Sequence, residues 1–186
     1  MRRCHETLIE LVVAVLLAGG IASQPAHAQK TIDNGFRYRI SRPAYGEGAG
    51  PIVCIDEGHY NHHTLAGSYS PFGTLLRDDG YSVRRSEGPF TDGTLSGCDV
   101  MVSANPLAEV DAHREGEYPH DSAFTADELD ALLAWVRDGG ALLLVVDHTP
   151  WAGAAADLAA LLGVQIFDGQ VQETAVFGSL DEEALR

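Results

Sequence analysis

Basic residues are scarce in this sequence: 12 Lys and Arg stand against 27 Asp and Glu, a formal net charge of −15. Phosphate recognition requires Lys and Arg partners, so this balance argues against a nucleic-acid binder, and equally against an anionic membrane surface. Acidity speaks for solubility and repulsion of anions rather than for any fold. A membrane-length apolar run is missing from the N-terminus as well. Leu11 to Ala22 is short of the ~20 residues that cross a bilayer. Cysteine is rare, with three in 186 residues, so no disulfide framework or Cys-rich metal module is indicated.

What is present divides into four stretches. Residues 1–28 read as a secretory signal: Arg2 and Arg3, the apolar run, then Ala26-His27-Ala28 as a small-x-small cleavage site. Cutting is expected after Ala28, with no stable membrane insertion afterwards; an uncleaved anchor is the alternative. Because Arg2, Arg3, Glu6 and Glu10 leave together, the formal charge of −15 is unchanged by cleavage. Residues 29–50 form a polar, Gly-rich lead-in with one alternating patch at 36–40, read as an edge strand. Residues 51–168 carry the periodic part, and 169–186 an acidic tail. With 45% hydrophobic and 21% charged residues, the chain can bury a core in a single domain.

Within 51–168, Pro51 to Ile55 is an apolar run without polar alternation, the pattern of a strand buried on both faces. Ser70-Pro71 reads as the cap and first residue of a helix that Gly80 ends. Tyr81-Ser82-Val83 and 98–103 are the second and third strands. Thr125-Ala126-Asp127-Glu128 is a capping box opening a helix with Leu129, Leu132, Leu133 and Val136 on one face. Ala141–Val146 is the fourth strand, Ala152–Leu162 a helix, and Val164–Phe167 a fifth strand. Alternation of this kind predicts an α/β fold: a three-layer parallel sheet of flavodoxin-like type with helices on both faces. An exported domain could pair Cys54, in one strand, with Cys98, just before another, but the two are expected at different heights and are read as buried free thiols.

Ligands of such sheets bind beyond the carboxyl ends of the strands. All six histidines after residue 28 fall in those loops. The first loop holds Asp56, Glu57, His59, Asn61, His62 and His63. The next holds Asn105 and a long stretch with Glu109, Asp111, His113, Glu115, Glu117 and His120, either a lid or a tolerated surface insertion. The last holds Asp147 and His148. Glu57 and His148 form a chemically reasonable acid–base pair. Asp56, His59, Asn61, His62, Asn105 and Asp147 are candidate ligand contacts, with Asp147 equally readable as a cap. Imidazole and carboxylate also suit a divalent metal such as zinc, for which His59, His63 and His148 are the candidate ligands. Alternatively these side chains bond the loops themselves, or take a small polar ligand such as a carbohydrate directly.

The combination Asp56-Glu57-Gly58-His59-x-Asn61-His62-His63-Thr64, Pro71-Phe72, Asp79-Gly80-Tyr81, Ala104-Asn105-Pro106-Leu107, Gly139-Gly140 and Asp147-His148 resembles a family of uncharacterised bacterial domains with a class I glutamine amidotransferase-like fold. The resemblance spans about 51–163 and implies a flavodoxin-like sheet. Glutaminase chemistry is not implied, because the nucleophilic Cys such enzymes carry at a tight turn after a strand is replaced here by Val146-Asp147-His148. The family also continues with further strands, so this chain reads as a truncated or divergent member. Three functions compete: an exported domain that binds a small polar ligand at the strand ends, with metal-assisted hydrolysis of it as the catalytic version; a non-catalytic amidotransferase-like module that binds a carbohydrate or a partner in the cell envelope; and a purely structural domain whose polar loops satisfy themselves.

Overall fold

A computed structural model describes residues 32–33, 35, 38–113 and 120–169. The signal, Phe36 and Arg37 of the alternating patch at 36–40, Glu115, Glu117 and the stretch from 170 onward lie outside the described residues; the described part of that patch, residues 38–40, forms no strand.

The strands are β1 (Ile52–Asp56), β2 (Ser82–Ser86), β3 (Val100–Ala104) and β4 (Ala141–Val145). They form a four-stranded, all-parallel sheet in the order β2-β1-β3-β4. Helices α1 (Ser70–Asp78), α2 (Asp92–Leu95), α3 (Ala126–Arg137), α4 (Trp151–Ala154) and α5 (Ala156–Leu161) connect and follow them. The α/β class and the coarse flavodoxin-like layout expected from the alternation are therefore present. No helix among the described residues is long and apolar enough to cross a membrane.

Side chains alternate across the sheet, and each face has its own core. Val53, Ile55 and Val102 pack under Tyr69, Phe72 and Leu76 of the α1 region. Cys54 and Met101 point the other way, against Leu95 of α2, Leu129 and Leu132 of α3, and Leu158 of α5. β4 lies at one edge, and Leu143 on it is 45% exposed.

Local signals explain most of the boundaries. Thr125 and Glu128 form the reciprocal capping box at the start of α3. Gly80 has φ +94°, and a Cβ there would stand 2.3 Å from the Tyr45 carbonyl oxygen, so only glycine fits. Gly58 is needed for a different reason. A Cβ would meet the Gly88 carbonyl oxygen at 2.5 Å, where the turn after β1 passes the turn after β2.

Four expectations are corrected. Ser70 is the first residue of α1 rather than its cap; Tyr69 holds the cap position and makes no side-chain capping bond. The single helix expected over 152–162 is two short ones, α4 and α5, meeting at Ala155. Val164–Phe167 forms no strand, and Val164 and Phe167 are 55% and 77% exposed. Cys54 and Cys98 are not free thiols but a disulfide, with Cα atoms 5.8 Å apart. Cys98 lies in the turn after α2, where its N–H donates to the Leu95 carbonyl, so strand register does not fix its height. That turn carries it back over β1.

Candidate functional site

The residues selected from the strand-end loops separate into an interior group and a surface group. The interior group centres on His59, which is 4% exposed. Its Nδ1 donates to both oxygens of Asp56, at 2.8 and 3.0 Å, and its Nε2 to Glu128 Oε1 at 2.8 Å. The rings of Phe90 and Phe124 flank it at 4.4 and 4.7 Å. Burial alone disfavours an imidazolium, but the hydrogen bonds and charges of Asp56 and Glu128 outweigh it and hold the His59 pKa above its ordinary value. On Glu128 burial again opposes ionisation. The Thr125 amide, the His59 bond and the Thr125 hydroxyl overcome it and lower the carboxyl pKa.

Asp56 is fully buried and its remaining lone pairs are taken by Ser103 Oγ (2.7 Å), Asn61 Nδ2 (3.0 Å) and the Gly58 amide (3.1 Å). Asn61 in turn accepts from the His59 amide at 3.1 Å. Every polar atom of this cluster is directed inward, so Asp56, His59 and Asn61 shape the loop after β1 rather than meet a ligand. Glu57 has a similar role. Its Oε1 accepts from the Leu65 amide and its Oε2 from Arg85 Nε, both at 2.7 Å. That leaves it no part in an acid–base pair with His148.

The surface group gathers where the order β2-β1-β3-β4 sets the ends of β1 and β4 on either side of β3. Asn105, immediately after β3, anchors it. Its φ is +48°, a left-handed conformation that Asn tolerates better than most residues. Its amide donates to the Val145 carbonyl at 2.8 Å and its carbonyl accepts from the His62 amide at 3.0 Å, locking together the loops after β1, β3 and β4. The side chain is 1% exposed; Nδ2 faces His63 Nε2 at 3.4 Å, and the amide also bonds Asp147. Asn105 Oδ1 is buried and has no hydrogen-bond partner among the described residues.

Around Asn105 runs a chain of rings. Tyr69 stacks on His63 at 4.9 Å, His63 meets His62 at 4.9 Å, and His62 meets Trp151 at 4.9 Å. Trp151 meets His148 at 5.0 Å. His148 Nδ1 donates to the Thr149 carbonyl, and Nε2 has no hydrogen-bond partner among the described residues. Asp147 is exposed. The little burial it has opposes ionisation, and the His148 amide and the Asn105 side chain outweigh this and lower its pKa. The Tyr69 hydroxyl is pushed up by burial and by the charge of Asp147.

Zinc does not fit the residues proposed for it. Both nitrogens of His59 are donors to carboxylates, so it has no lone pair to give, and it belongs to the interior group while His63 and His148 belong to the surface one. Among the described residues no group of three or more His, Cys, Asp or Glu side chains could hold a metal ion. Comparison with protein-family models, with curated proteins and with solved structures gives no match to this chain. Its function has to be read from the geometry.

Tyr69, Trp151 and Glu128 were not among the sequence candidates for this site. Tyr69 is six positions beyond His63, and a second aromatic in a His-rich loop is a signal that could have been used. The pairing of Glu128 with His59 spans 69 residues and has no local signal. The loop between β3 and α3 is fastened by the Leu107 amide to the His59 carbonyl, by the Ala123 amide to the Ala154 carbonyl and by His120 Nδ1, which donates to Asp168 Oδ2 at 2.7 Å. Beside it the Thr149 amide donates to the Gly169 carbonyl at 3.0 Å. Gly153 makes room for this clasp, since a Cβ there would lie 2.5 Å from Asp168 Oδ2.

Proposed function

We propose that this chain is an exported, flavodoxin-like domain that binds a small polar ligand on the ring chain at the carboxyl ends of β1, β3 and β4. The observation that carries the reading is Asn105. Buried polar atoms are almost always satisfied, and an orphan in a left-handed residue, under a row of aromatic rings at the sheet's switch point, marks a place built for a partner. Aromatic faces with a few fixed polar groups are the ordinary composition of small-ligand sites. The strand order matches the first four strands of the 2-1-3-4-5 arrangement, which supports the flavodoxin-like and amidotransferase-like assignment. The signal-like N-terminus supports export, and a Cys54–Cys98 disulfide is compatible with an oxidising compartment.

A second, catalytic reading rests on His148. An imidazole fixed by a backbone carbonyl on Nδ1 directs Nε2 outward for proton transfer, so hydrolysis of the bound ligand is the reaction it would serve. Glutaminase chemistry gains no support, because both cysteines of the described domain are joined to each other.

The chain has two tryptophans, Trp135 and Trp151. In a Trp135→Phe variant, Trp151 fluorescence reports the ring chain alone. Saturable change with monosaccharides or amino acids, lost on Asn105→Ala, is the expected result. A flat response to the whole panel would count against the site.

A further inference from the structure

Resting on that binding reading, we infer that the ligand carries a protonated amine, seated against Asp147 and the faces of Trp151 and Tyr69. Beside the donors of Tyr69 and Trp151, the site offers two acceptors with capacity to spare. Asp147 presents a carboxylate, and Asn105 an oxygen without a partner among the described residues. The rings that surround them add the negative face of their π systems, which attracts ammonium groups.

Four arginines among the described residues are engaged elsewhere. Arg77 bonds the Val83 carbonyl, and Arg84 lies over the disulfide with Nε 3.1 Å from Cys54 Sγ. Arg85 is paired with Glu57 and Glu87, and Arg137 sits in the last turn of α3. An anion would therefore meet Asp147 with no counter-charge among these residues, in a protein of net charge −15. A neutral polyol could donate to the acceptors but would leave the carboxylate uncompensated. An ammonium group answers all of them: it donates up to three hydrogen bonds, neutralises Asp147 and sits favourably on an aromatic face.

Two sources share this chemistry, an amino sugar and a simple amine, and four probes of one ring size separate them. Glucosamine, glucose, glucuronate and cyclohexylamine are titrated by Trp151 fluorescence in the Trp135→Phe protein, at about pH 6.5, where amino groups are charged. The expected result is that glucosamine binds at least tenfold more tightly than glucose, with glucuronate weakest. Asp147→Asn, an exposed position, should remove the preference for glucosamine over glucose while leaving the melting temperature unchanged. Glucosamine ahead of cyclohexylamine assigns an amino sugar; equality assigns the amine alone; both support the inference. Equal binding of glucose and glucosamine, or a preference for glucuronate, overturns it and leaves the binding site standing. No binding by any of the four overturns both.

Discussion

His59 Nε2 lies 2.8 Å from Glu128 Oε1 and thereby fastens the turn after β1 to the first turn of α3. The partnership is ionic on both sides of the ring, and it makes stability depend on pH in a definite sense. The His59 pKa is raised from 6.5, so its contribution is complete below that value and is lost as pH rises through the higher folded value. The Glu128 pKa is lowered from 4.5, so its contribution is complete above that value and is lost as pH falls through the folded one. Urea midpoints should therefore be highest between these two values and fall on the alkaline side. A His59→Asn variant should lose the alkaline decline. Removing His59 leaves two buried carboxylates facing an empty place, and the expected cost is about 3–5 kcal/mol. A wild-type midpoint that is level from pH 6 to 9 would contradict the assignment.

The Cys54–Cys98 bond closes a loop with a sequence separation of 44. Loop-closure entropy for that length amounts to about 4 kcal/mol, an upper figure since reduced chains retain structure. Thermal melts with and without reductant, and of Cys98→Ser, should both show a drop in the range of about 2–4 kcal/mol. Absence of any drop, with thiol labelling proving reduction, would remove the staple from the account.

Gly58→Ala and Gly80→Ala test two different constraints. Gly80 combines a positive φ with a backbone oxygen in the way, whereas Gly58 meets only the Gly88 carbonyl. Each substitution should lower stability by about 1 kcal/mol or more, with Gly80 the costlier. Denaturant midpoints equal to wild type at either position would contradict the packing described there.

Glu57 and His148 should part company. Glu57→Gln weakens the anchors to Arg85 and to the Leu65 amide, so a stability loss of about 1–3 kcal/mol is expected with ligand affinity unchanged. His148→Ala removes a ring from the edge of the chain and should alter affinity or turnover while leaving the urea midpoint within about 0.5 kcal/mol of wild type. Reversal of the two outcomes would restore Glu57 to the site.

Much of the fold could be read from the sequence because its causes are local. The apolar run at 52–55, the Thr125–Glu128 cap and the Gly80 stop each need only their neighbours. The site was legible as a set of loops and not as a set of contacts. Asp56, His59, His62 and His63 share one short segment, yet the first two turn inward and the last two contribute rings to the surface. Tyr60, with φ +44° between them, redirects the chain, and nothing in a tyrosine announces a left-handed turn. The disulfide and the His59–Glu128 bond join residues 44 and 69 positions apart, so they depend on helix placement that periodicity does not supply.

The Asp168 clasp has a practical meaning for anyone extending the polypeptide. Because the Gly169 carbonyl is bonded to the Thr149 amide, one residue past His148, Gly169 itself lies beside the ring chain. A peptide tethered there is presented to the site at an effective concentration on the order of millimolar, whatever its concentration in solution. A polyhistidine or amine-rich sequence joined directly to Gly169 would act as a competitor in cis, and affinities measured with it attached would describe that sequence as much as the site.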